Sequence, residues 1–185
     1  MKSTKRITYV VTVAFTLLCF ALSRVAQGQL SPPPDGGYPN HNTAEGTNAL
    51  FHTDVSTASG NTAIGNSALF DNITGNDNTA VGISSLLDNT SGDGNTAVGA
   101  FALEGNNGSG NTAVGKKALF NNSASNNTAV GIDALSNNTT GADNTAVGAS
   151  ALFSNNAANN TASGFQALYA GCSCIRIAAS EHHSP

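Results

Sequence analysis

The stretch Asn111-Thr112-Ala113-Val114-Gly115-Lys116-Lys117-Ala118-Leu119-Phe120 decides the fold, because it recurs along the chain. The unit Asn-Thr-Ala-Val-Gly-x-x-Ala-Leu-Phe starts eight times, at Asn42, Asn61, Asn78, Asn95, Asn111, Asn127, Asn144 and Asn160. Successive starts lie 19, 17, 17, 16, 16, 17 and 16 residues apart. Self-similarity at a short fixed period marks a solenoid built by stacking, in which each repeat buries its face only against its neighbours. The length varies only in the Asn/Gly/Ser/Asp/Thr-rich stretch between the apolar positions, as a loop allows.

Several columns of the unit are nearly fixed. Asn, Thr and Ala open every copy, and Gly closes the first segment at Gly46, Gly65, Gly82, Gly99, Gly115, Gly131, Gly148 and Gly164. Leu holds the ninth position throughout, from Leu50 to Leu168. The fourth position is Ile64, Val81, Val98, Val114, Val130 and Val147 in the inner copies, but Glu45 and Ser163 in the outer two. Polar residues confined to the terminal copies are expected to be caps, since the end faces of a solenoid meet water.

A helix does not suit these units. Gly and β-branched residues recur in each, and every apolar run is too short to propagate one. A strand does suit them. Thr-Ala-Val-Gly alternates with period two, placing Thr and Val on one face and Ala and Gly on the other. Ala-Leu-Phe reads as a second short strand. The Gly after Val can take positive φ and turn the chain. The expected fold class is all-β, a parallel β-roll or β-solenoid of eight coils of 16–19 residues.

In such a stack parallel strands lie about 4.8 Å apart, so each column becomes a ladder of like residues. The Val and Leu ladders are expected to form a narrow dry core. Stacked Asn side chains can bond amide to amide, or the Asn can serve as a turn former that tolerates unusual φ/ψ. The tenth column carries Phe51, Phe70, Phe120, Phe153 and Tyr169, but also Leu87, Glu104 and Ser136. A column that accepts Glu is not expected to be fully buried in a single chain, and a neighbouring copy could cover it.

Outside the repeats the chain is read as three segments. Lys2, Lys5 and Arg6 precede an apolar run from Ile7 to Leu22, and Ala26-Gln27-Gly28 offers small residues at a cleavage site. Residues 1–28 are therefore expected to be a signal peptide. The run is short for a membrane span, which needs about 20 residues. Residues 29–41 form a Pro/Gly linker, 42–170 the repeat domain, and 171–185 an unstructured tail.

Charge and chemistry exclude more than they suggest. Charged residues make up 10% of the chain and the net charge is −4. Loss of residues 1–28 leaves three basic residues against eleven acidic ones, a balance of −8. Nucleic acid and anionic membranes need basic clusters, so neither is an expected partner. The composition is polar and poor in aromatics, but disorder does not require Val and Leu at fixed positions. Cys19 reads as one more apolar residue of the N-terminal run. Cys172 and Cys174, with His182 and His183, could at most form a terminal metal tract. The repeats contain no cysteine, so no disulfide framework is expected.

Asp71, Asp77, Asp88, Asp93, Asp133 and Asp143 read as solvated loop residues, and His41 and His52 do not recur. Gly75-Asn76-Asp77-Asn78 and Gly92-Asp93-Gly94-Asn95 lack the repeated unit and the bidentate Glu of calcium loops. There is no Gly-rich phosphate loop with Lys. Sequons such as Asn126-Asn127-Thr128 are by-products of the repeat. No catalytic, cofactor-binding or metal-binding set is expected, and no small-molecule substrate.

The Asn-Thr-Ala-Val-Gly…Ala-Leu units resemble the head repeat of trimeric autotransporter adhesins, the YadA-like head, and similar arrays in bacterial surface and tail-fibre-like proteins. The resemblance covers residues 42–170, about 70% of the chain. It implies a left-handed parallel β-roll, a homo-trimer, and a head-like passenger region that attaches to host or matrix surfaces. It further implies a secreted or extracellular location at the cell surface or outer membrane. The unit here is longer than the usual head coil. Neither a heptad stalk nor the alternating strands of a membrane barrel follow within the 185 residues. Two other functions are weighed. One is a structural spacer or envelope protein. The other is an ice- or crystal-binding solenoid using the Thr ladder (Thr43, Thr62, Thr79, Thr96, Thr112, Thr128, Thr145 and Thr161). A flat array of two Thr columns suits ice, whereas here the companion column is Val.

Overall fold

The computed structural model describes residues 39–54, 56–170 and 177–179, all within the unit Asp35–Pro185. The signal-peptide reading of 1–28, most of the linker, and the Cys172, Cys174, His182 and His183 tract lie outside the described residues.

The Thr-Ala-x segments all form three-residue strands. These are β1 (Thr43–Glu45), β2 (Thr62–Ile64), β3 (Thr79–Val81), β4 (Thr96–Val98), β6 (Thr112–Val114), β8 (Thr128–Val130), β9 (Thr145–Val147) and β10 (Thr161–Ser163). Two shorter strands, β5 (Gly105–Asn106) and β7 (Asn121–Asn122), pair with each other. The eight repeat strands stack in parallel in chain order, Thr against Thr and Ala against Ala. The molecule is thus an all-β parallel solenoid, with seven turns between its first and last repeat strands. A ninth strand, β11 (Ile177–Ala179), continues the sheet on the far side of β10. It falls within 171–185, the segment expected to be unstructured.

Which face is buried differs from expectation. Along each strand Thr and Val do share a face, but that face points outward. Ala63, Ala80, Ala97, Ala113, Ala129 and Ala146 are fully buried, while Val98, Val114 and Val130 remain 37–38% exposed. The core is built from this Ala ladder, a second Ala ladder from Ala49 to Ala167 interrupted by Ser85, and the Leu ladder. The coil is too narrow to take Val from the strand when Leu already fills it from the opposite side. Two small residues and one Leu per rung fill the section. The fourth column is therefore no part of the core, and Glu45 and Ser163, both exposed, cap nothing.

The expected second strand is also replaced. Ala-Leu-Phe lies in a turn in which every repeat Leu adopts φ between 49° and 52°. The left-handed conformation costs about 1–2 kcal/mol for a residue with a side chain. Full burial of a Leu is worth about 1.5–3 kcal/mol, so the turn can be held by the Leu it drives into the core. The fifth-position Gly takes φ from 129° to 139°, as the turn reading requires. At Gly99 a Cβ would also lie 2.6 Å from the Gly115 carbonyl oxygen of the next rung, so both backbone angle and stacking distance demand glycine.

Candidate binding face and the asparagine spine behind it

Beside the apolar core stand buried polar side chains, almost all of them Asn. The repeat-opening residues Asn42, Asn61, Asn78, Asn95, Asn111, Asn127, Asn144 and Asn160 are all buried. Each side-chain oxygen accepts from the backbone N–H of the next Asn, as in Asn61 N–H to Asn42 Oδ1 at 2.8 Å and Asn111 N–H to Asn95 Oδ1 at 2.9 Å. The chain of bonds runs unbroken to Asn160, whose N–H donates to Asn144 Oδ1 at 2.8 Å.

A second ladder, not read from the sequence, stands beside the first. Asn72, Asn89, Asn106, Asn122, Asn138 and Asn155 are buried to the same degree. Here the bonds do run amide to amide. Asn89, Asn106, Asn122 and Asn138 each donate Nδ2–H to the Oδ1 of the previous rung, at 2.9–3.1 Å. The two ladders meet on a shared carbonyl. Gly92 O accepts from Asn78 at 2.8 Å and from Asn89 at 2.9 Å, using both lone pairs. Gly75, Gly108, Ala124 and Ala157 repeat this in their own rungs. The sequence did hold a signal for this ladder: each of these Asn stands three residues after a repeat Leu, as Asn89 does after Leu86. It is also the twelfth position of each of these six copies, because the variation in length comes later in the loop.

The strands of the outward sheet, beside these ladders, are joined by regular bonds from rung to rung. The Thr backbone N–H donates to the carbonyl of the Asn one rung on, and the bonds from Thr43 to Thr145 all measure 2.7–2.8 Å. On that sheet the Thr column and the Val/Ile column run side by side, with Ala facing the core between them. Glu45 is the only charged residue in either column. Beyond the glycine turn the sixth column adds exposed Ile83, Ile132 and Phe165, but also Asn66 and Lys116.

The tenth column forms a separate, mostly aromatic strip. Phe51 stacks on Phe70 with centroids 5.2 Å apart, and Phe153 on Tyr169 at 5.0 Å. Lys117 Nζ sits 5.1 Å from the Phe120 ring centroid. Phe51 and Tyr169 are exposed and Phe70, Phe120 and Phe153 half-buried, in keeping with a column that admits Glu104.

Among the described residues the ionisable side chains do not converge on a reaction centre. Asp77 and Asp143 occupy left-handed turn positions just before a ladder Asn, at φ 54° and 58°. Asp93 accepts from the Asn76 N–H at 2.7 Å, and its loop holds the neighbouring loop in place. His52 pairs with Asp71 across one rung. Asp88 is pushed up by partial burial and by the neighbouring Asp71. Glu104 is pushed up by partial burial and by Asp88, against a smaller opposing pull from Lys117. Among the described residues no group of three or more His, Cys, Asp or Glu is arranged to hold a metal ion.

No protein-family model, no curated protein and no solved structure matches the chain.

Proposed function

We propose that this is a secreted or cell-surface repeat protein that attaches to its target through the outward Thr/Val sheet, with no catalytic role. One observation carries the reading. Eight Thr-Ala-x strands in register turn Thr and the fourth-column residue outward and bury only Ala. A chain that needed merely to be a spacer would gain by covering the Val/Ile column, since Ile64, Val98, Val114, Val130 and Val147, left 37–42% exposed, each forgo part of a burial worth about 1.5–3 kcal/mol when complete. Repetition multiplies one weak contact along the sheet, which suits attachment by many equivalent points.

The N-terminal basic and apolar pattern supports export. The resemblance to YadA-like heads supports attachment to host or matrix surfaces and a homo-trimer. For assembly, the aromatic strip from Phe51 to Tyr169 is the surface the copies would share. Retention of the purified chain on cells and matrix components is the direct test. Val130→Lys should weaken retention, and a folded parent protein that is retained nowhere would count decisively against attachment. Analytical ultracentrifugation tests the assembly separately, and a folded monomer at working concentration would remove the trimer.

A further inference from the structure

We infer that the outward Thr/Val sheet binds the surface of ice. This rests on that sheet being the working face and names its target as solid water. The face is regular. The columns form a two-dimensional grid, about 4.8 Å between rungs and roughly 6.5 Å between Thr and Val along each strand. The near-constant 2.7–2.8 Å bonds between rungs make the grid uniform from β1 to β9. Repeat distances of this order are those at which water molecules recur on the planes of ice.

Chemistry points the same way, with an aliphatic column standing where a second Thr column would stand. Each of the six inner rungs presents one hydroxyl with its methyl, from Thr, and one aliphatic group, from Val or Ile. A hydroxyl can take a place in a lattice of hydrogen-bonded water, and the methyl groups beside it order the water they cannot bond. The columns are neutral except for Glu45 at one edge, which matches an uncharged lattice. The same face lacks what a protein partner would use. Protein interfaces concentrate their binding energy in Trp, Tyr and Arg, and neither column contains any of the three. A second copy is disfavoured as the occupant because its columns would meet with no aromatic anchor. The aromatic strip lies on another part of the coil and remains free for assembly.

Stiffness is the remaining requirement, because a lattice-matched face must not bend. Both Asn ladders are buried and tie rung to rung by side chain as well as backbone. Binding to ice would then pay little ordering entropy.

The test uses the full chain with three variants, each checked by circular dichroism for the parent fold. Thr112→Lys and Val130→Lys each place a long charged side chain in the middle of the grid. Ser91→Lys places the same side chain on an exposed loop away from it. Thermal hysteresis and partition into a slowly grown ice hemisphere are measured for all four proteins. The parent and Ser91→Lys should enter the ice and depress its growth temperature, while both face variants are left in the liquid and show no hysteresis. Exclusion of the folded parent from ice overturns the inference, as do face variants that partition like the parent. Retention on cells or matrix that Val130→Lys abolishes, without any ice activity, overturns ice as the target and leaves the attachment reading standing. Face variants that change neither measurement overturn both.

Discussion

At the residue scale, asparagine does what apolar side chains do in most cores. It fills the interior and, because its polar atoms find partners in their own rung or the next, Asn138 Oδ1 excepted, it can stay buried without the cost of an orphaned amide. Removing one member should therefore cost more than its size suggests. Asn95→Ala leaves the Asn111 N–H without its acceptor and frees one lone pair of Gly108 O. A loss of about 1–3 kcal/mol is expected, read as a lower denaturant midpoint with unchanged slope. The opposite change is available at the first rung. Thr53 stands where the second ladder would have its next Asn, three residues after Leu50, and its hydroxyl is buried without a partner. Thr53→Asn should extend the ladder to Asn72 and raise stability by about 0.5–1.5 kcal/mol. A midpoint below that of the parent would show that the longer first loop does not place residue 53 in register.

At the element scale, the three-residue strand is defined by which residue it turns inward. Ala113 is fully buried and Val114 is 38% exposed. Ala113→Val should overpack the section and cost about 1–3 kcal/mol, whereas Val114→Ala should stay within about 0.5 kcal/mol of the parent. Thermal unfolding of the two proteins decides it, and the reverse ranking would restore a Val core. The alternation was legible from Thr-Ala-Val alone, because period two fixes which residues share a face. The inward side was not legible, because hydrophobicity argued for Val and only the width of the closed coil argued for Ala. The Leu turn was hidden for a similar reason. Nothing local in Ala118-Leu119 favours φ of 51° at Leu119; the turn is imposed by the need to bring Leu into a section that Ala113 and Ala118 leave open.

At the scale of the whole molecule, neighbouring rungs interact and distant ones do not. Deleting residues 111–126 removes one coil of 16 residues and brings Asn127 onto Asn95 with every column intact. The shortened chain should keep the β spectrum of the parent and unfold at a modestly lower temperature, and loss of that spectrum would mean the coils are not interchangeable. Stacking also concentrates charge. Asp71, Asp88 and Glu104 fall in successive rungs, and the folded-state pKa values of Asp88 and Glu104 are raised above 3.8 and 4.5. A carboxyl whose folded pKa is raised holds its proton more tightly folded than unfolded. Folding is then favoured as pH falls from neutral toward about pH 4, and that contribution is lost as pH rises through the folded values. Asp54, held low by the Ser56 hydroxyl and N–H, opposes this only below its ordinary 3.8. Glu104→Gln should accordingly be more stable than the parent at neutral pH, with the difference shrinking on acidification. Equal gains at both pH values would assign the effect to packing in place of charge.

The sequence by itself determined the repeat, its parallel stacking, the Thr–Val pairing on one face and the glycine turn. Each of these follows from a residue type recurring at a fixed place, which a chain of stacked coils converts directly into a ladder. The tertiary structure alone decided which side of the strand is inside, that Leu sits in a left-handed turn, and that the second asparagine column is buried and bonded into a ladder. Those depend on how much volume a closed coil encloses and on which carbonyls its loops turn inward, and neither quantity is local to any one repeat. The result is that the regular Thr/Val columns lie on the outside of the molecule, where they can meet a surface as regular as themselves.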